Sequence, residues 1–110
     1  MAGTAIIKVV DLSSETFQRT LQRLKPDLLK EARKALGELF LLDMESAPAK
    51  LHLHPLKDLT VPSRVDLKKQ VKVYTIHLNS GDTHKASFTF EDGTAYMRTC
   101  GTHAEIDKKP

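Results

Sequence analysis

The sequence predicts an α+β fold: a two-helix amino-terminal hairpin packed on a small, mainly antiparallel twisted β-sheet, in the order β-α-α-β-β-β-β. Three observations predict it. Apolar residues recur at helical spacing between Phe17 and Phe40, alternating runs rich in Val, Thr, Ile and aromatic residues fill the second half, and Asp92-Gly93 separates two of those runs. Asp-Gly tolerates the two positive φ angles of a tight hairpin turn. Amphipathic helices need an apolar surface to cover, and one face of an antiparallel sheet supplies it.

Ala5 to Val10 is short, apolar and β-branched, which suits a first strand buried on both faces. Ser13 or Ser14 can then cap a helix that runs to about Leu24, with Glu15 in its first turn and Phe17, Leu21 and Leu24 on one side. Pro26 suits the first turn of a second helix, expected to run to Leu42 with Leu29, Ala32, Leu36, Leu39 and Phe40 as its stripe. After a loop with Pro48, Leu51-His-Leu-His54 alternates and Pro55 stops or edges that strand. Leu56 to Lys69 has no clean period. Val71 to Leu78 and Thr83 to Phe90 read as strands joined by the turn Asn79-Ser-Gly-Asp82.

If Asp92 and Gly93 are the two loop residues, Phe90 pairs with Ala95, Phe88 with Met97 and Ala86 with Thr99 on a core face. The opposite face then pairs Thr89 with Tyr96, Ser87 with Arg98 and Lys85 with Cys100. That face is expected to be open, polar and basic, with His103 at its rim.

At 110 residues the chain is expected to be one domain, 1–110. Its 40% apolar and 28% charged residues exclude a disordered class, and no apolar run is long enough to cross a bilayer. The amino terminus lacks a basic region followed by a long apolar stretch, so a cytoplasmic location is expected, with no membrane partner. The single cysteine agrees with a reducing compartment. A net charge of +3 permits contact with nucleic acid or an acidic protein.

His103 is the best single acid-base candidate, because histidine ordinarily titrates near neutrality. Lys85 and Arg98 would place positive charge near a phosphate, and Tyr96 could stack on a base. His-x-His at 52 and 54 with Cys100-x-x-His103 could in principle supply four zinc ligands, but nothing in the sequence brings the pairs together, and no metal or cofactor is expected.

The segments Leu51-His-Leu-His-Pro-Leu56, Val73-Tyr-Thr-Ile-His-Leu78, His84-Lys-Ala-Ser-Phe88 and Gly101-Thr-His-Ala-Glu-Ile-Asp107, in that order and spacing, resemble the RelE/ParE superfamily of type II toxin-antitoxin toxins, closest to its HigB-like branch. The resemblance implies a RelE-like fold and a toxin that cleaves messenger RNA on the ribosome without a metal, inhibiting translation, with an antitoxin protein as partner beside ribosome and mRNA. The ParE-like alternative is a non-enzymatic gyrase inhibitor, or a toxin fold that only binds an antitoxin or another protein. By resemblance, Lys85 stands where the family usually has a phosphate-holding arginine, keeping the charge without the bidentate fork. His103 stands at a catalytic position, and Ile106 where many members carry an aromatic. Lys50, His52, His54 and Lys57 stand where relatives supply further basic residues for the substrate.

Overall fold

In the computed structural model, which describes residues 6–44, 53–79, 81 and 83–110, a short strand enters first, β1 (Val9–Asp11). Two helices follow, α1 (Glu15–Gln22) and α2 (Pro26–Leu39), and then the strands β2 (His54–Pro62), β3 (Gln70–His77), β4 (His84–Glu91) and β5 (Thr94–Thr102). A third helix, α3 (His103–Lys108), closes the chain. The α+β class stands, with the two helices following β1, and the closing helix was not expected from the sequence. The five strands form one sheet in the order β1-β5-β4-β3-β2. All neighbours are antiparallel except β1, which lies parallel to β5.

Each helix begins where local chemistry favours it. Ser14 caps α1 by accepting a hydrogen bond from Phe17 N, and Pro26 stands in the first turn of α2, where no amide hydrogen is needed. Phe17, Ala32, Leu36 and Leu39 are buried as the periodicity predicted, with Leu21 and Leu24 packed against them. α2 stops at Leu39, not Leu42. Phe40 therefore leaves the stripe and is 54% exposed, because its backbone is already extended. Leu41 then takes a positive φ of 66°, the role a glycine commonly fills after a helix. The first strand is shorter and less buried than expected: within the sheet Val9–Asp11 pair, at its edge, and Val9 is 51% exposed, while Ile6 bridges Asp43 instead.

Of the two roles the sequence allowed Pro55, a stop or an edge residue, β2 bears out the second. The strand runs through Pro55 to Pro62, with a register shift between Pro55 and Thr60. It can do so because it is an edge strand, where a missing amide hydrogen need not break the ladder.

The Asp92-Gly93 turn is as predicted, with φ of 47° and 82° and Glu91 paired with Thr94. Phe90 with Ala95, Thr89 with Tyr96 and Phe88 with Met97 also pair as expected. Beyond Met97 the register departs from expectation. Arg98 is an extra residue in β5, so Ser87 faces Thr99, Ala86 faces Cys100 and Lys85 faces Gly101. The bulge turns Cys100 into the core, where its amide donates to Thr20 Oγ1 at 3.2 Å and ties β5 to α1. Burial pushes the Cys100 thiol pKa up, as suits an inert core cysteine.

The main core lies between the helices and the sheet face bearing Ile76, Ala86, Phe88, Ala95 and Met97. The opposite face was expected to be open. It is covered instead: Val73, Thr75, Ser87 and Thr89 are all 0–1% exposed. α3 packs on this side against β4 and β5, and its Ile106 is 1% exposed. A second, smaller buried layer therefore lies under the carboxy-terminal segment.

Candidate active site

Four chemistry-bearing side chains meet at one end of this second layer. Lys85 on β4 is directly opposite His77 on β3 in the antiparallel ladder, so the two share a face. The Lys85 ammonium donates to Asp107 Oδ1 at 3.1 Å. Asp107 Oδ2 lies 3.8 Å from His103 Nδ1, one helical turn away on α3. The His103 ring meets the His77 ring edge-on at 5.1 Å between centroids. Lys85 is 5% exposed and His77 9%, whereas the side chains of His103 and Asp107 are 40% and 54% exposed. The cluster thus has a buried cationic floor and an accessible imidazole at its mouth.

α3 holds this arrangement through its start. Thr102 Oγ1 accepts from Glu105 N at 3.3 Å while Glu105 Oε1 accepts from Thr102 N at 2.9 Å, a reciprocal capping box. Hydrogen bonding from Thr102, by its backbone N–H foremost and then its hydroxyl, holds the Glu105 carboxyl below its usual range. His103 N also donates to Thr83 O at 3.1 Å, fixing the first residue of α3 to the entry of β4. Thr102-x-x-Glu105 was legible in the sequence as a helix start, and would have found α3. His77 was not singled out because its face depended on the register across the Asn79 turn, which the ladder now fixes.

Of the residues the sequence singled out, the fold brings Lys85 and His103 together through Asp107. Arg98 and Tyr96 lie elsewhere. Arg98, expected beside Lys85, lines a separate pocket with Arg64 and Lys109, a displacement caused by its bulge. The Tyr96 ring carries the Arg64 guanidinium at 5.5 Å from its centroid. Ile106 is packed beneath α3, not presented to a substrate. His54 and Lys57 belong to β2 by their backbone, and Lys50 and His52 lie outside the described residues.

No family model and no curated protein matches the sequence. Among solved structures, a copper-bound mutant toxin from Helicobacter pylori is similar with a TM-score of 0.50, aligned over 89% of this chain and 97% of the toxin chain. The chain shares a toxin's fold. At 16% identity the likeness extends to the fold alone. Among the described residues, no three His, Cys, Asp or Glu side chains gather as a metal ion would require, and no helix is long and apolar enough to cross a membrane.

Proposed function

We propose that this protein is the toxin of a type II toxin-antitoxin pair, a RelE/HigB-like endoribonuclease that cleaves messenger RNA on the ribosome and so inhibits translation in the cytoplasm. The observation that carries the reading is the meeting of His77, Lys85, His103 and Asp107 at one accessible corner. The toxin-like fold supports it at the level of scaffold.

RNA cleavage by the neighbouring 2′-hydroxyl needs a base for that proton, positive charge for the phosphorane and an acid for the leaving 5′-oxygen. With its Nδ1 turned towards Asp107, His103 would exchange a proton with the substrate at Nε2. Asp107, at 3.8 Å from the ring, would act on it by charge, favouring the protonated imidazole. His77, edge-on to His103, is the second group able to carry a proton. Lys85 contributes charge from below; its near-complete burial makes it a source of field, not a second hand on the phosphate. The ribosome would supply the remaining alignment of the strand, and the antitoxin would be the partner that silences the site.

Purified protein added to translating ribosomes should generate new messenger ends that disappear in His103→Ala. Intact messenger under those conditions sinks the nuclease reading, and a concurrent loss of gyrase supercoiling would direct it to the ParE-like activity.

A further inference from the structure

A pocket of about 370 Å³ lies against the bulge of β5, apart from the His103 cluster, whose side chains do not line it. Three cations do: Arg64 from the β2–β3 loop, Arg98 of the bulge and Lys109 after α3, with Ser14 and Thr16 at the amino end of α1. No Asp or Glu side chain is among the lining residues. Arg98 is the half-buried member, and its Nε is buried without a hydrogen-bond partner. Its Nη2 donates to the backbone oxygen of Pro110 at a long 3.4 Å. Burial, and then the charge of Arg64, pull the Arg98 pKa down, so its cationic form is under-compensated. Two guanidiniums that line one pocket with no Asp or Glu side chain beside them, one with a buried unpartnered Nε, are stabilised by an added anion.

The pocket has the donors for that. Ser14 Oγ already accepts from Phe17 N, which leaves its hydroxyl proton to donate outward. The amino end of α1 adds its partial positive charge. Arg64 is held over Tyr96, so its position is fixed in advance. Two carboxylates lie near Arg64 and neither lines the pocket: Asp11 Oδ1 is taken by Ser13 N and Oγ at 2.8 and 2.6 Å, and Glu91 accepts from Ser63 Oγ and, at 3.0 Å, from Arg64 N. Arg98 stands three residues before Gly101, the ladder partner of Lys85, so the pocket lies roughly 10 Å along β5 from the level of Lys85. A short single strand spans that separation.

We propose that the Arg64–Arg98–Lys109 pocket binds a backbone phosphate of the single-stranded RNA substrate, distinct from the phosphate that reacts. This rests on the nuclease reading and deepens it, by giving the strand a second anchor that fixes its direction across the sheet. Arg64 and Lys109 are exposed, so their variants keep the fold.

The probe is a short 2′-O-methyl single-stranded RNA, which cannot be cleaved, titrated by fluorescence anisotropy at several salt concentrations. Arg64→Gln and Lys109→Gln should each weaken binding several-fold and lower the salt slope by about 0.7, the value for one lost phosphate contact on a single strand. Lys30→Gln, on the α2 surface, should leave both unchanged. Nitrogen-15 spectra should show the Arg98 side-chain Nε–H resonance moving as the oligomer is added. Unaltered affinity and slope in both pocket variants overturn the assignment while leaving the nuclease reading in place. Oligomer binding that depends on Arg64 and Lys109, without any His103-dependent cleavage on ribosomes, sustains the RNA site and removes the nuclease reading. Failure of the wild-type protein to bind the oligomer overturns the assignment even if inorganic phosphate still shifts Arg98.

Discussion

Removing the Asp107 charge should expose how the buried lysine is stabilised. The Lys85 side chain is 7% exposed and its ammonium has Asp107 at 3.1 Å. Breaking a fully buried ion pair from one side costs about 3–5 kcal/mol, because the remaining charge is left without compensation. Asp107 is 54% exposed, so water already screens the pair and can approach Lys85 once the carboxylate is gone. A discount by half or more leaves about 1–2 kcal/mol for Asp107→Asn. Lys85→Met, which keeps the stem and deletes the charge, should cost less than about 1 kcal/mol. In the Lys85→Met background, Asp107→Asn should then cost no more than about 0.3 kcal/mol. Urea unfolding of the four proteins measures all of this, with unchanged m-values as the check that only the native pair was altered. An equal cost of Asp107→Asn in both backgrounds would refute the claim that this carboxylate compensates Lys85.

Three further outcomes follow from local geometry. Gly37, in α2, has nothing within 4 Å of an added Cβ, so Gly37→Ala should raise stability by about 0.5–1 kcal/mol in the same urea assay. Gly101→Ala should do the opposite locally: its Cβ would stand 2.9 Å from Glu105 Oε1, displacing the carboxylate from Thr102 N, and the Thr102 amide should lose protection from hydrogen exchange. The depressed Glu105 pKa gives the capping box a pH dependence with a definite sign. Its contribution is fully present above the ordinary glutamate value of 4.5 and is lost as pH falls through the lower folded value, so exchange at α3 should quicken there before the sheet unfolds.

The sequence disclosed what depends on local chemistry. Ser14, Pro26 and Asp92-Gly93 fix a cap, a helix start and a turn by their own stereochemistry, and each was found where the residues placed it. The four pairs nearest the turn, from Glu91–Thr94 to Phe88–Met97, followed from loop length alone. Beyond Met97 a single inserted residue changed the partner of every later position, and no local signal distinguishes a bulge at Arg98 from continuous pairing. That one residue separated Arg98 from Lys85, placed Cys100 in the core and left Gly101 opposite Lys85. Coverage of the second sheet face was illegible for a different reason. Thr75, Ser87 and Thr89 alternate like solvent-facing polar residues, and only a tertiary contact buries them. Lys85 and His103 were legible as candidates; His77 and Asp107 became partners only through register and through α3.

The carboxy-terminal helix joins fold and site in one element. Six residues are far too few to form a stable helix alone, so α3 exists because its capping box and the buried Ile106 dock it on β4 and β5. The same docking carries His103 and Asp107 to His77 and Lys85. Isoleucine at 106 therefore supplies the packing that holds His103 and Asp107 in place. Charge compensation couples the two: an undocked α3 would leave Lys85 without its carboxylate, so docking of α3 both covers the second core and completes the cluster. A partner that pried α3 from the sheet would dismantle the cluster without touching any reacting atom.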